Sequence, residues 1–207
     1  MGTASTIGLA MALVVLTGIA GADEPDRASQ ANAARLAVGV CGTCHGPRGV
    51  SRSPSVPRLA GQSAGYLSAQ LRAFREHVRR DPDAISYMWG MASNLDDRTI
   101  DALAQYYAAQ SAGPARPGDP ALAARGKEIY EKGAEPAGTP SCATCHGFDG
   151  HGMADFPRLA GQHSEYLLTQ LRSFQNNARA AEAMRLVAKD LSERDFAAIA
   201  AFLQSRP

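Results

Sequence analysis

Four cysteines stand in two pentads of one pattern, Cys41-Gly42-Thr43-Cys44-His45 and Cys142-Ala143-Thr144-Cys145-His146. On a helix, side chains three residues apart lie on one face. Two thiols so placed can add to the two vinyl groups along one edge of a porphyrin. The residue that follows then sets an imidazole over the iron. C-x-x-C-H is the attachment signature of c-type haem, and histidine is the usual proximal ligand. Two other chemistries use paired C-x-x-C units: tetrahedral zinc and, in an exported chain, a pair of disulfides. A histidine in both pentads, a glycine after each (Gly46, Gly147) and the use of every cysteine favour two covalently bound haem c groups. Cys41, Cys44, Cys142 and Cys145 would anchor them, with His45 and His146 on the irons.

The pentads belong to a duplication. Residues 56–75, VPRLAGQSAGYLSAQLRAFR, match residues 156–175, FPRLAGQHSEYLLTQLRSFQ, at twelve of twenty positions with a constant offset of 100. Further on, Leu95-Asp96-Asp97-Arg98 matches Leu191-Ser192-Glu193-Arg194. The domains are therefore expected at 27–111 and 121–207. The stretch 112–120 between them is rich in Pro and Gly and reads as a linker. The repeat also selects a second axial ligand. Met88 and Met184 each sit seven residues before the matched leucine. Met91 aligns with Val187, and Met153 has no counterpart, so both are assigned to packing or loops. A neutral thioether favours ferrous iron and raises the potential. His77, His151 and His163 occupy unmatched places and are read as surface or hydrogen-bonded residues.

Three helices per half must position these groups. The first enters the pentad, at about 30–44 and about 120–131, with an insertion, Gly133 to Pro140, before the second pentad. The next spans about 63–78 and 163–178, where Tyr66, Leu67, Leu71, Phe74 and Val78 follow helical spacing. The last spans about 96–109 and 192–204, opened by Asp96 in one half and a Ser192–Asp195 capping pair in the other. No segment alternates as a strand does, so the fold class is all-α. Each half is small for a core built of protein alone, and a buried porphyrin would supply apolar surface.

Net charge is only +1, and lysine occurs three times. No basic stripe marks a nucleic-acid binder. The cluster Arg72, Arg75, Arg79 and Arg80 reads as a solvated helix face. The first 22 residues carry no charge, hold a short apolar run and end Ala20-Gly21-Ala22. This fits a cleaved signal peptide, residues 1–22, and export to the periplasm; a loose association with the membrane stays open.

With the paired C-x-x-C-H-G, the paired P-x-L-A-G-Q…Y-L-x-x-Q-L and the methionine seven residues before a Leu-acidic helix start, the chain resembles the dihaem cytochrome c4 family over nearly all of residues 30–205. The resemblance implies two tandem class I cytochrome c domains with pseudo-twofold symmetry and haem propionates facing each other. It implies that the carbonyls of Pro57 and Pro157 accept hydrogen bonds from Nδ1 of the proximal histidines. Arg58, Arg158, Gln62, Gln162, Tyr66 and Tyr166 become candidates for propionate or interface contacts. The implied function is electron transfer without substrate chemistry, by a monomer between a quinol-oxidising complex and a terminal oxidase. The alternatives are a cytochrome subunit of a flavin or quinoprotein dehydrogenase, and a dihaem peroxidase-type enzyme. His45 to Met88 is a longer stretch than His146 to Met184, so the two haems are expected to differ in potential.

Overall fold

In a computed structural model of the chain, residues 1–2, 26–135 and 138–207 are described. Nearly all of the expected signal peptide lies outside them. Helix is the only regular structure among the described residues, apart from two isolated bridges, Ala134 with Thr139 and Met153 with Phe156.

The first half opens with α1 (Arg27–Leu36), which runs through a π-helical stretch (Ala37–Cys41) into α2 (Gly42–His45). The first pentad therefore lies on one continuous rod. α3 (Ala64–Arg75) follows, then a second π-helical stretch (Ala84–Met88), α4 (Trp89–Ala92) and α5 (Asp97–Ala108). The second half repeats this with α6 (Pro120–Lys132), α7 (Ala143–His146), α8 (Ser164–Gln175), α9 (Glu182–Ala188) and α10 (Glu193–Gln204). Here the insertion separates α6 from the pentad, which keeps only the short α7.

Local chemistry sets the helix starts. Side chains of Asp26, Ser63, Asp96 and Asp119 accept a backbone N–H of the first turn, and Ser192 with Asp195 forms the expected capping box. α6 has Pro120 at its first position, where no donor is needed. The helices that carry the methionines were not expected from the sequence. They are too short for a period to emerge, and Ile85, Tyr87 and Met91 on them face solvent.

α1 packs across α5, and α6 across α10. Ala33, Ala37, Leu67, Leu103 and Tyr107 form the first core; Ile129, Tyr130, Leu167, Phe196, Phe202 and Leu203 form a bulkier second one. Counted from the caps Asp26 and Asp119, α1 places Ala33 where α6 places Gly126. A Cβ on Gly126 would run into the carbonyl of Ala198 and lie 2.9 Å from the Cβ of Phe202. Gly126→Ala is expected to destabilise the second half by about 3 kcal/mol, read as a lowered thermal midpoint. An unchanged midpoint would show that this crossing is not tight.

Candidate haem sites

Each pentad ends a helix, and a glycine turns the chain immediately after it. Gly46 and Gly147 hold φ of 78° and 79°, a region that a side chain disfavours. The chain then returns so that the carbonyl of Pro57 lies 2.9 Å from Nδ1 of His45, and that of Pro157 lies 3.0 Å from Nδ1 of His146. A carbonyl only accepts, so Nδ1 carries the proton and Nε2 keeps its lone pair. Both imidazoles are buried, and burial pushes each below its usual pKa, which favours the neutral ring that a metal needs.

The four cysteines are unbridged. Burial drives the Cys142 thiol up to about 11 and raises that of Cys41 as well. Among the described residues no three side chains of His, Cys, Asp or Glu gather as a metal site, so the zinc arrangement has no geometry here. The residues fit haem c instead. Apolar side chains stay uncovered near the pentads, among them Val38 and Val40 beside the first, and Phe156, edge-on to His146 at 6.1 Å. A flat apolar body held by the two thioethers would cover such a surface.

Met88 closes the second π-helical stretch and packs, half-buried, with Phe74, Ala84, Trp89 and Ala92. Met184 sits within α9, half-buried against the second core. Met91 and Met153, assigned to packing or loops, are both exposed, Met91 on α4 and Met153 in the loop after the second pentad.

The loops that carry the two prolines also join the halves. The side chain of Gln162 accepts from the backbone N–H of Arg58 at 2.8 Å and donates to its carbonyl at 2.9 Å. Gln62 does the same to Arg158, at 2.7 and 2.9 Å. This exchange is a pseudo-twofold relation written in four hydrogen bonds. Arg58 also donates to the carbonyls of Pro114 and Gly161. His163, expected at the surface, is instead buried here, with Nε2 3.1 Å from the carbonyl of Ser51. A segment of opposite sequence half covers it, which local spacing does not reveal.

A second layer of contact was missed. Arg79, read as part of a solvated face, is buried against the other half with Gln70, Gln170 and Arg179. Arg72 and Arg75 do lie on the outside, paired with Asp97 and Asp101. Gln70, Phe74 and Arg79 recur as Gln170, Phe174 and Arg179 at the same offset of 100, but Arg72 recurs as Arg172 too, so recurrence alone does not separate the buried arginine from the outer ones.

All-helical tandem halves with paired pentads define a c-type cytochrome with two covalently bound haem c groups. The family model for cytochrome c matches residues 30–109 and 123–207. Cytochrome c4 of Pseudomonas aeruginosa is 38% identical, covering 91% of this chain and 92% of its own. The crystal structure of reduced recombinant cytochrome c4 from Pseudomonas stutzeri superposes with a TM-score of 0.75 at 34% identity, over 87% of this chain and 97% of that one. A thiosulfate dehydrogenase from Marichromatium purpuratum gives 0.76 at 33% identity, over 86% of this chain and 40% of that one. The chain belongs to the dihaem cytochrome c4 family, and it is an electron carrier, not an enzyme.

Gln162→Ala would strip the buried backbone of Arg58 of both partners. It is expected to cost about 3 kcal/mol of cooperative stability and to split calorimetric unfolding into two transitions. A single unshifted transition would deny the interface that role.

Proposed function

We propose that His45 with Met88, and His146 with Met184, ligate the two irons, while Cys41, Cys44, Cys142 and Cys145 form the thioethers. The reading takes residues 27–111 and 121–207 as the two domains, 112–120 as their linker and 1–22 as the signal that directs the chain to the periplasm. The repeated bond between Nδ1 and a proline carbonyl carries it, because that bond leaves the same ring nitrogen free in both halves. When bound, each haem c supplies one-electron Fe(III)/Fe(II) chemistry.

The chain's own residues do the rest. Pro57 and Pro157 hold the imidazoles in one tautomer and orientation and increase their basicity. The half-buried thioethers of Met88 and Met184 would be each iron's second protein ligand, in the place of a substrate. Gln62 and Gln162 lock the two sites in one geometry, so that an electron entering one half can pass to the other. No helix among the described residues is long and apolar enough to cross a membrane.

We take the partners to be a quinol-oxidising complex upstream and a terminal oxidase downstream. The near-neutral charge implies docking with little salt dependence. A second reading, service to a dehydrogenase, is favoured by one observation: the thiosulfate dehydrogenase structure contains a region that superposes on most of this chain.

Met184→Ala tests the ligand assignment. One haem is expected to become high-spin in absorption spectra and to fall in potential, while the other is unchanged. Two unaltered low-spin haems would remove Met184 from the ligand set.

A further inference from the structure

Behind the proline loops, two arginines face each other across the interface. Each follows a corner with positive φ, His77 at 57° and Asn177 at 61°, and each donates its backbone N–H to a matching carbonyl, Ala73 or Ser173. Each guanidinium lies over its own phenylalanine, Phe74 or Phe174, at 4.7 Å. The two share acceptors. Oε1 of Gln70 takes a bond from Arg79 at 2.9 Å and from Arg179 at 2.8 Å; Oε1 of Gln170 takes one from each at 2.9 and 2.7 Å. Arg179 reaches the hydroxyl of Tyr66 in the other half at 2.6 Å, and Arg79 that of Tyr166 at 3.4 Å.

The symmetry breaks at one side chain. Asp81 is fully buried and lies 2.6 Å from Nε of Arg79. The corresponding residue of the other half is Ala181. The match is set by backbone: Ile85 N–H donates to the carbonyl of Asp81 at 3.1 Å, and Arg185 N–H to that of Ala181 at 2.9 Å. Two buried cations thus have one carboxylate between them, and it belongs to the first half. Asp81 also begins the turn that leads into the π-helical stretch carrying Met88, and the indole of Trp89 donates to the carbonyl of Arg79.

A buried negative charge favours the ferric state of a nearby haem, and a positive charge favours the ferrous state. Away from water these effects are weakly screened. We propose that Asp81 sets the order of the two potentials, holding the first-half haem below the second and so directing where an electron rests. Two cationic arginines form a common field; the single carboxylate makes it unequal. The inference rests on the His–Met ligation proposed above.

The test is a redox titration that resolves the two haems, for example by the resonances of their axial methionines, on the holoprotein and two variants. In Asp81→Asn, which keeps a hydrogen-bond partner for Arg79, the first haem is expected to become easier to reduce. Its reduced-to-oxidised ratio at fixed applied potential should rise about threefold or more, with a smaller change at the second. In Ala181→Asp, which adds the missing carboxylate beside Arg179, the second haem is expected to become harder to reduce by a similar factor. Should Asp81→Asn fail to fold, Ala181→Asp decides alone. Unmoved potentials, or equal shifts of both haems, would overturn the proposal. The sulfur-to-iron charge-transfer band, followed in the same samples, keeps the two questions apart: its loss from the parent protein would refute the ligation, whereas its presence with unmoved potentials refutes only the role of Asp81.

Discussion

One hydrogen bond, made twice, organises this protein: the histidine that closes each pentad gives its Nδ1 proton to a proline carbonyl more than ten residues further along. An imidazole next to two thioether anchors could otherwise turn about its side-chain bonds. With Nδ1 committed, the ring plane and the lone pair at Nε2 are fixed together. The bond also pins the loop to the pentad helix, so the chain between them becomes a wall of the site rather than a free excursion.

The same loop faces two ways. Its proline serves the site within its own half, and the next residues, Arg58 to Gln62 and Arg158 to Gln162, serve the other half. Any shift of one loop must therefore move a pentad histidine and the interface together. Buried amide hydrogen bonds add only about 1 kcal/mol each, but an unpaired backbone group at the interface costs more. The exchange of glutamines thus specifies register as much as it adds stability. Beneath it, the arginine layer repeats the crossing with charged groups, and there the duplicated halves have diverged. They have diverged in the cores too. Tyr107 on α5 hydrogen-bonds the carbonyl of Ala37, whereas in the second half the tyrosine is Tyr130 on α6, bonded to the carbonyl of Gly147 and packed with Phe202.

Much of this was legible in the sequence because a duplication supplies its own comparison. The pentads and the main helices follow from matching one half with the other, and the caps Asp96 and Ser192–Asp195 from local pattern. What was not legible has two physical causes. Helices of four to seven residues, such as α4 and α9, show no period, so the elements that carry the methionines could not be seen. Contacts between halves also carry no local signature: His163 and Arg79 sit among polar neighbours in sequence yet are buried by a surface about a hundred residues away. Arg79 is the instructive case: it recurs as Arg179, but Arg72 recurs as Arg172 as well, so repetition did not mark which arginine the other half would bury.

In the proposed function each iron is held by one imidazole and one thioether, with no open position. Iron-edge X-ray absorption on the reduced holoprotein, before and after exposure to carbon monoxide, measures this directly. A shell of nitrogen with one sulfur per iron, unaltered by the gas, is the expected result. A sulfur count below the iron count, or a new carbon scatterer at either iron, would contradict it.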